Sequence, residues 1–175
     1  MKRNVLWFVI VAAAALMQTT WLEAVRIRGV LPDLTLLLVL YFAIGEGEER
    51  AMFTGLVGGV FQDVLTKAPL GLYVLCNVAV GYTVGRLSTR LLTEHPVVKV
   101  GIAFASSMVH GLLLTFVSYV LSPELAAGRH IVARVVPQAF YTALVTPIVF
   151  LTMDRLLRRA PAQPHADGKQ HAGQS

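Results

Sequence analysis

Six apolar runs, separated by short charged or turn-forming breaks, leave few folds open to this chain. They fall at about 4–22, 31–45, 51–65, 70–87, 97–121 and 133–153. Lipid offers backbone N–H and C=O groups no partner, so segments that cross it are helices satisfying their own hydrogen bonds. A soluble domain of 175 residues needs far more polar surface than a chain that is 55% hydrophobic and 14% charged, with mean hydropathy +0.65. The expectation is an all-α polytopic membrane protein. A compact six-helix transmembrane domain over residues 1–159 precedes a disordered tail, "APAQPHADGKQHAGQS", at 160–175. His165 and His171 in that tail read as solvated rather than metal-bound.

The second and third runs are short, since fifteen residues rise about 22 Å against about 30 Å of hydrocarbon. They extend into their flanks or are covered by neighbouring helices; a single re-entrant hairpin is the alternative. The first run reads as an uncleaved helix and not a signal peptide, because no small-x-small site follows Met17. Trp7 and Trp21 lie near its opposite ends, as an aromatic belt would.

Basic residues set the expected orientation. With the N-terminus in the cytoplasm, ten of them fall inside (Lys2, Arg3, Arg50, Arg86, Arg90, Lys99, Arg155, Arg158, Arg159, Lys169). Five fall outside (Arg26, Arg28, Lys67, Arg129, Arg134). The excess places both termini inside, and the net charge of +5 is read as topology rather than as a nucleic-acid signal. The acidic break "EGEER" (46–50) also falls inside, but acidic residues count little here. Arg86, Arg90, Arg155, Arg158 and Arg159 are expected to set topology and meet anionic lipid.

The helix faces predict how the spans pack. On the third, Phe53, Val57, Val60, Phe61 and Val64 share a face expected to meet lipid. Gly55, Gly58, Gly59 and Gln62 share the opposite one, with Asp63 at its border. The fourth run adds Asn77, Gly81 and Gly85. The fifth adds Ala103, Ser107, His110, Gly111 and Ser118, and the sixth Gln138, Thr142 and Thr146, with Pro137 and Pro147 as kink sites. Small residues let helix backbones approach closely where no hydrophobic effect drives association.

Two carboxylates stand in apolar surroundings. Asp33, in "LPDLTLLL", is expected in the first helical turn as a cap, with Pro32 at the first position and the carboxylate facing the positive end of the macrodipole. Asp63 has Lys67 four residues on, a spacing that permits an ion pair. Pro69 and Gly71 then make a tight connection. Both carboxylates fall at one outer level, where an uncompensated charge costs several kcal/mol.

No catalytic constellation, phosphate loop or nucleophile elbow is present. His110 has no second metal ligand at useful spacing and reads as a hydrogen-bonded packing residue. Cys76 is the single cysteine, so no intramolecular disulfide forms. No enzymatic activity, cofactor, metal or nucleic-acid partner is expected.

Residues 31–87 contain Pro32-Asp33, the charged break from Glu46 to Arg50 and a Gly-rich helix from Gly55 to Asp63. Pro69-Leu70-Gly71 follows, then Gly81-Tyr82 with Gly85-Arg86. In that order and spacing, over about 55 residues, the stretch resembles the bacterial rod shape-determining protein MreD family. The resemblance implies a non-enzymatic scaffold in the bacterial inner membrane that serves cell elongation and peptidoglycan synthesis. The partners it implies are MreC, the actin-like MreB, RodA and a class B penicillin-binding transpeptidase, besides membrane lipid. That family is also similar in fold to the substrate-binding subunits of ECF transporters, so the rival function is a small-molecule binding or transport subunit. Such a subunit would need convergent polar groups near the outer face, drawn from Asp33, Asp63, Asn77 and His110. A lipid-binding or lipid-flipping protein is a third reading, without a dedicated basic pocket to carry it.

Overall fold

The computed structural model describes residues 2–20, 31–66, 69–88, 95–121 and 131–158. They form six α-helices, with no strand among the described residues. These are α1 (Lys2–Thr20), α2 (Leu34–Gly45), α3 (Glu48–Thr66), α4 (Leu72–Ser88), α5 (Pro96–Leu121) and α6 (Val136–Arg158); a π-helical turn, Ile131–Val135, leads into α6. Lys67, Trp21 and the tail from 160 lie outside the described residues.

The helix at the centre is the shortest. α2 has 12 residues, a rise of about 18 Å, and cannot span hydrocarbon alone. It is apolar all round, the mark of a helix with no solvent face. Thr35 through Leu40, Phe42 and Ala43 are all buried. Its neighbours α1, α3, α4, α5 and α6 all touch it, and Leu36, Leu37 and Leu40 pack with Val80, Ala103 and Phe150. Helices α3 and α5 are longer, at 19 and 26 residues. The segments Pro96–Leu121 and Ile131–Leu157 are long and apolar enough to cross a membrane.

α3 begins at Glu48, inside the break "EGEER", three residues before the expected edge. Glu48 and Glu49 occupy its first turn, where carboxylates complement the macrodipole. The reversal from α2 into α3 takes place at Gly47, whose φ of +90° is a left-handed conformation open to glycine.

α3 packs most extensively on α4, through glycines on both sides. A Cβ on Gly55 would lie 2.9 Å from the backbone of Asn77, and one on Gly59 2.6 Å from Val74 Cα. In return, a Cβ on Gly81 would lie 3.1 Å from the backbone of Ala51, and one on Gly85 2.5 Å from Glu48 Cα. Two backbones this close gain dispersion along their length, the attraction available to helices in lipid.

The expected lipid face of α3 is corrected in part. Phe53, Val60 and Val64 are exposed, but Val57 packs into a cluster with Val11, Leu38 and Phe42. Phe61 lies 6.4 Å, ring to ring, from Phe8. Helix α1 covers that part of the stripe. It is tied further along by the Trp7 indole donating to Thr54 Oγ1 at 3.0 Å, with the Arg50 guanidinium 4.8 Å from the Trp7 ring. At the same end, Tyr41 of α2 donates its hydroxyl to Asp154 of α6 at 2.8 Å.

Candidate functional site

The α2 N-terminus does not start where the Pro-Asp pair suggested. Asp33 is the N-cap, the capping role expected of it, and Pro32 precedes the helix in place of opening it. The reason is the hydrogen bond a cap makes: Asp33 Oδ1 accepts the Leu36 N–H at 3.0 Å. The same oxygen accepts the side-chain amides of Gln18 at 3.2 Å and Gln62 at 3.3 Å. Asp33 N–H donates to Thr142 Oγ1 at 3.2 Å, and Asp33 Oδ2 lies 3.6 Å from His110 Nδ1. Gln62 Oε1 in turn accepts from Asn77 Nδ2 at 2.7 Å. Gln18 Oε1 accepts from both the backbone N–H and the hydroxyl of Thr35, each at 3.0 Å.

One residue from each helix meets here: Gln18 of α1, Gln62 of α3, Asn77 of α4, His110 of α5 and Thr142 of α6, around Asp33 at the head of α2. Asp33, Gln62, Asn77, His110 and Thr142 are each 2% exposed or less. His110 is eleven residues short of the α5 end at Leu121, a rise of about 16 Å. The cluster therefore sits near the middle of α5, and close to the Thr20 end of α1, the Thr66 end of α3 and the Leu72 end of α4. Sequence reasoning singled out Asp33, Asn77 and His110 as groups that could converge, and placed Gln62 and Thr142 on inward faces. It missed Gln18. The signal that could have found it is a glutamine at position 18, near the outer end of an otherwise apolar run.

Asp63 belongs to a neighbouring site with a different task. Its Oδ2 accepts the Gly71 N–H and its Oδ1 the Tyr73 N–H, both at 2.8 Å. The carboxylate thus satisfies N–H groups at the start of α4 and sits at the positive end of that helix's macrodipole. The expected partner, Lys67, lies outside the described residues. The connection itself is a turn in which Leu72 N–H donates to Pro69 C=O at 3.1 Å and Gly71 adopts φ +94°. Asp63 is 2% exposed, and its two hydrogen bonds to backbone N–H groups offset that burial.

Gly55, Gly59, Gly81 and Gly85 form the α3–α4 seam already described. Arg86 stands at its far end, 3.8 Å from Glu48, with the arginine exposed and the glutamate partly so, where an ion pair contributes little. Between α4 and α5 lies an open apolar groove of about 550 Å³, along which Ala79, Thr83, Gly101 and Ala105 are exposed. Among the described residues no group of three or more His, Cys, Asp or Glu could hold a metal ion.

Large apolar side chains such as Phe53, Leu75, Phe116, Phe140 and Leu144 face outward, while Gln62, Asp63, Asn77, His110 and Thr146 are buried. That inversion of a water-soluble interior, with long apolar helices at the rim, defines a helical membrane protein built around a polar knot. A sequence model of the family described as rod shape-determining protein MreD matches residues 1–160, and the chain belongs to the MreD family. Membership makes it a membrane component of rod shape determination. No curated protein and no solved structure match the chain.

Proposed function

We propose that this protein is a non-enzymatic scaffold of the cell-elongation complex in the bacterial inner membrane, crossing it six times with both termini in the cytoplasm. It binds MreC and, through the complex, MreB, RodA and a class B penicillin-binding transpeptidase. The observation that carries this reading is the family match over residues 1–160. The geometry supports it in two ways. The polar groups of the interior are occupied chiefly with one another, so they hold the bundle together and do not line an open pocket. The groove between α4 and α5 is apolar and edged by Ala79, Thr83, Gly101 and Ala105, the small residues that admit a partner's transmembrane helix.

The rival reading as a small-molecule subunit needs Asp33, Asp63, Asn77 and His110 to converge on a ligand. Asp63 is committed to the α4 backbone, which favours the scaffold. The test is depletion in a rod-shaped host together with affinity purification and mass spectrometry. Rounding of the cells with co-purification of MreC and a wall synthase is expected. Unchanged rods, or recovery of transporter ATPases in place of those partners, would reject the scaffold.

A further inference from the structure

In the polar cluster the donors run out before the acceptors. Asp33 Oδ1 takes N–H groups from Leu36, Gln18 and Gln62, three donors on one oxygen. Gln62 is thereby committed as a donor through Nε2 and offers Oε1 to Asn77. Among the described residues Asn77 Oδ1 is left without a partner, and so is His110 Nε2, both shut off from the surface. Asp33 Oδ2 faces the other ring nitrogen, Nδ1, at 3.6 Å. A ring lone pair set against a carboxylate oxygen would repel it, so neutral His110 carries its proton on Nδ1 and leaves Nε2 as a bare lone pair. A carboxylate in that position orients the ring and stabilises the imidazolium that forms when the far nitrogen takes a proton.

We propose that His110 Nε2 is a proton-binding site inside the helical bundle, oriented by Asp33 at Nδ1. The ligand is a proton and not a metal ion shared with the carboxylate, because Asp33 and Nε2 stand on opposite edges of the ring and cannot reach one ion. A proton also adds no volume to a closed cluster. Uptake takes the Asp33–His110 pair from one negative charge to none, at a depth where an uncompensated charge is costly. Around the pair stand Tyr73 of α4, its ring 6.3 Å from that of His110, Gln62 of α3 with Asp63 beside it, Gln18 of α1 and Thr142 of α6. The groups among these neighbours that titrate are Asp63 and Tyr73, with Cys76 a turn further along α4. Arg134, on the π-helical turn against α5, is exposed. Among the described residues no Lys or Arg pairs with Asp33.

The inference goes beyond the scaffold reading and does not depend on it. Its test is ¹⁵N NMR of the full chain in lipid nanodiscs, from about pH 5 to 9. The other four histidines (His95, His130, His165, His171) are replaced by Gln, so that His110 is the sole ring signal. Expected are the Nδ1–H tautomer at the alkaline end and conversion to the doubly protonated ring on acidification. Asp33→Asn should displace the midpoint by about 1 pH unit or more. An Nε2–H tautomer at the alkaline end overturns the proposal, as does a His110 signal unchanged across the range. An equal midpoint in Asp33→Asn removes Asp33 as the orienting group. The tautomer is read with Asp33 in place, so the proposal stays testable even where Asp33→Asn does not fold.

Discussion

Gly59 of α3 lies so close to Val74 of α4 that a Cβ on the glycine would stand 2.6 Å from Val74 Cα. A contact that short is with backbone, so no side-chain rotation relieves it. The helices must part, and the seam through Gly55, Gly81 and Gly85 parts with them. Gly59→Leu is therefore expected to destabilise the bundle by at least the 1–3 kcal/mol typical of overpacking. Val60→Leu, whose side chain is exposed, should change stability by no more than about 0.5 kcal/mol. Thermal unfolding in detergent checks the pair, and equal midpoints for the two variants would reject the seam.

The two amide side chains that bond each other in the cluster, Gln62 and Asn77, should differ in cost. Gln62→Leu removes a donor from Asp33 and orphans Asn77 Nδ2. Asn77→Leu orphans one Gln62 oxygen but also eliminates Asn77 Oδ1, which has no partner among the described residues. Each newly orphaned buried group costs about 1–3 kcal/mol, so Gln62→Leu is expected to be the more damaging. The double variant should cost less than the sum of the two, because it removes both ends of one bond. Strict additivity in denaturant or thermal titrations would show that the bond does not couple them.

Much of this architecture is legible in the chain. α5 starts and ends within one residue of its apolar run, and the four-residue spacing of Gly55-Gly59 and Gly81-Gly85 marks the faces that meet. What is not legible follows from uniform composition and from turns. "LTLLLVLYFAIG" is apolar on every side, so no periodicity reveals that α2 lies at the centre. Val57 and Phe61 belong to an apolar stripe that fits lipid and helix α1 equally well, and tertiary packing decides between them. The i, i+4 rule directs attention to Lys67, which lies outside the described residues, whereas two N–H donors that do bind Asp63 stand eight and ten residues on, brought back by the Pro69-Leu70-Gly71 turn.

That turn sets the third expectation. Asp63→Ala leaves the Gly71 and Tyr73 N–H groups without their acceptors, at about 1–3 kcal/mol for each that water does not reach. Asp63→Asn keeps one acceptor oxygen and should lose less. Because two backbone donors already satisfy the carboxylate, Lys67→Met is expected to couple to Asp63→Asn by less than about 0.5 kcal/mol in a double-mutant cycle. A larger coupling would reinstate the ion pair as a principal partner of Asp63.

Topology is checked by reporter fusions after Arg28, Lys67, Arg129 and the C-terminus. The excess of basic residues predicts the first three outside and the last inside. A C-terminal reporter active outside would reject the six-span arrangement proposed here.

The groove between α4 and α5 separates partner binding from folding. A Cβ on Gly101 meets nothing within 4 Å, and Ala105, one turn on, is exposed in the same groove. Leucine at either position fills space that is open in the isolated bundle, so the protein should fold and unfold as before. Where a partner's transmembrane helix occupies the groove, the same leucine holds two backbones apart. Gly101→Leu and Ala105→Leu are therefore expected to lower co-purification of MreC by about tenfold or more, the effect of roughly 1.4 kcal/mol on the association, with unchanged thermal midpoints. Phe140→Leu, on an exposed face of α6, is the control and should leave recovery intact. Full recovery of MreC with both groove variants would place its helix on another face of the bundle. Loss of recovery together with a lowered thermal midpoint would show that Gly101 and Ala105 support the fold and not the partner.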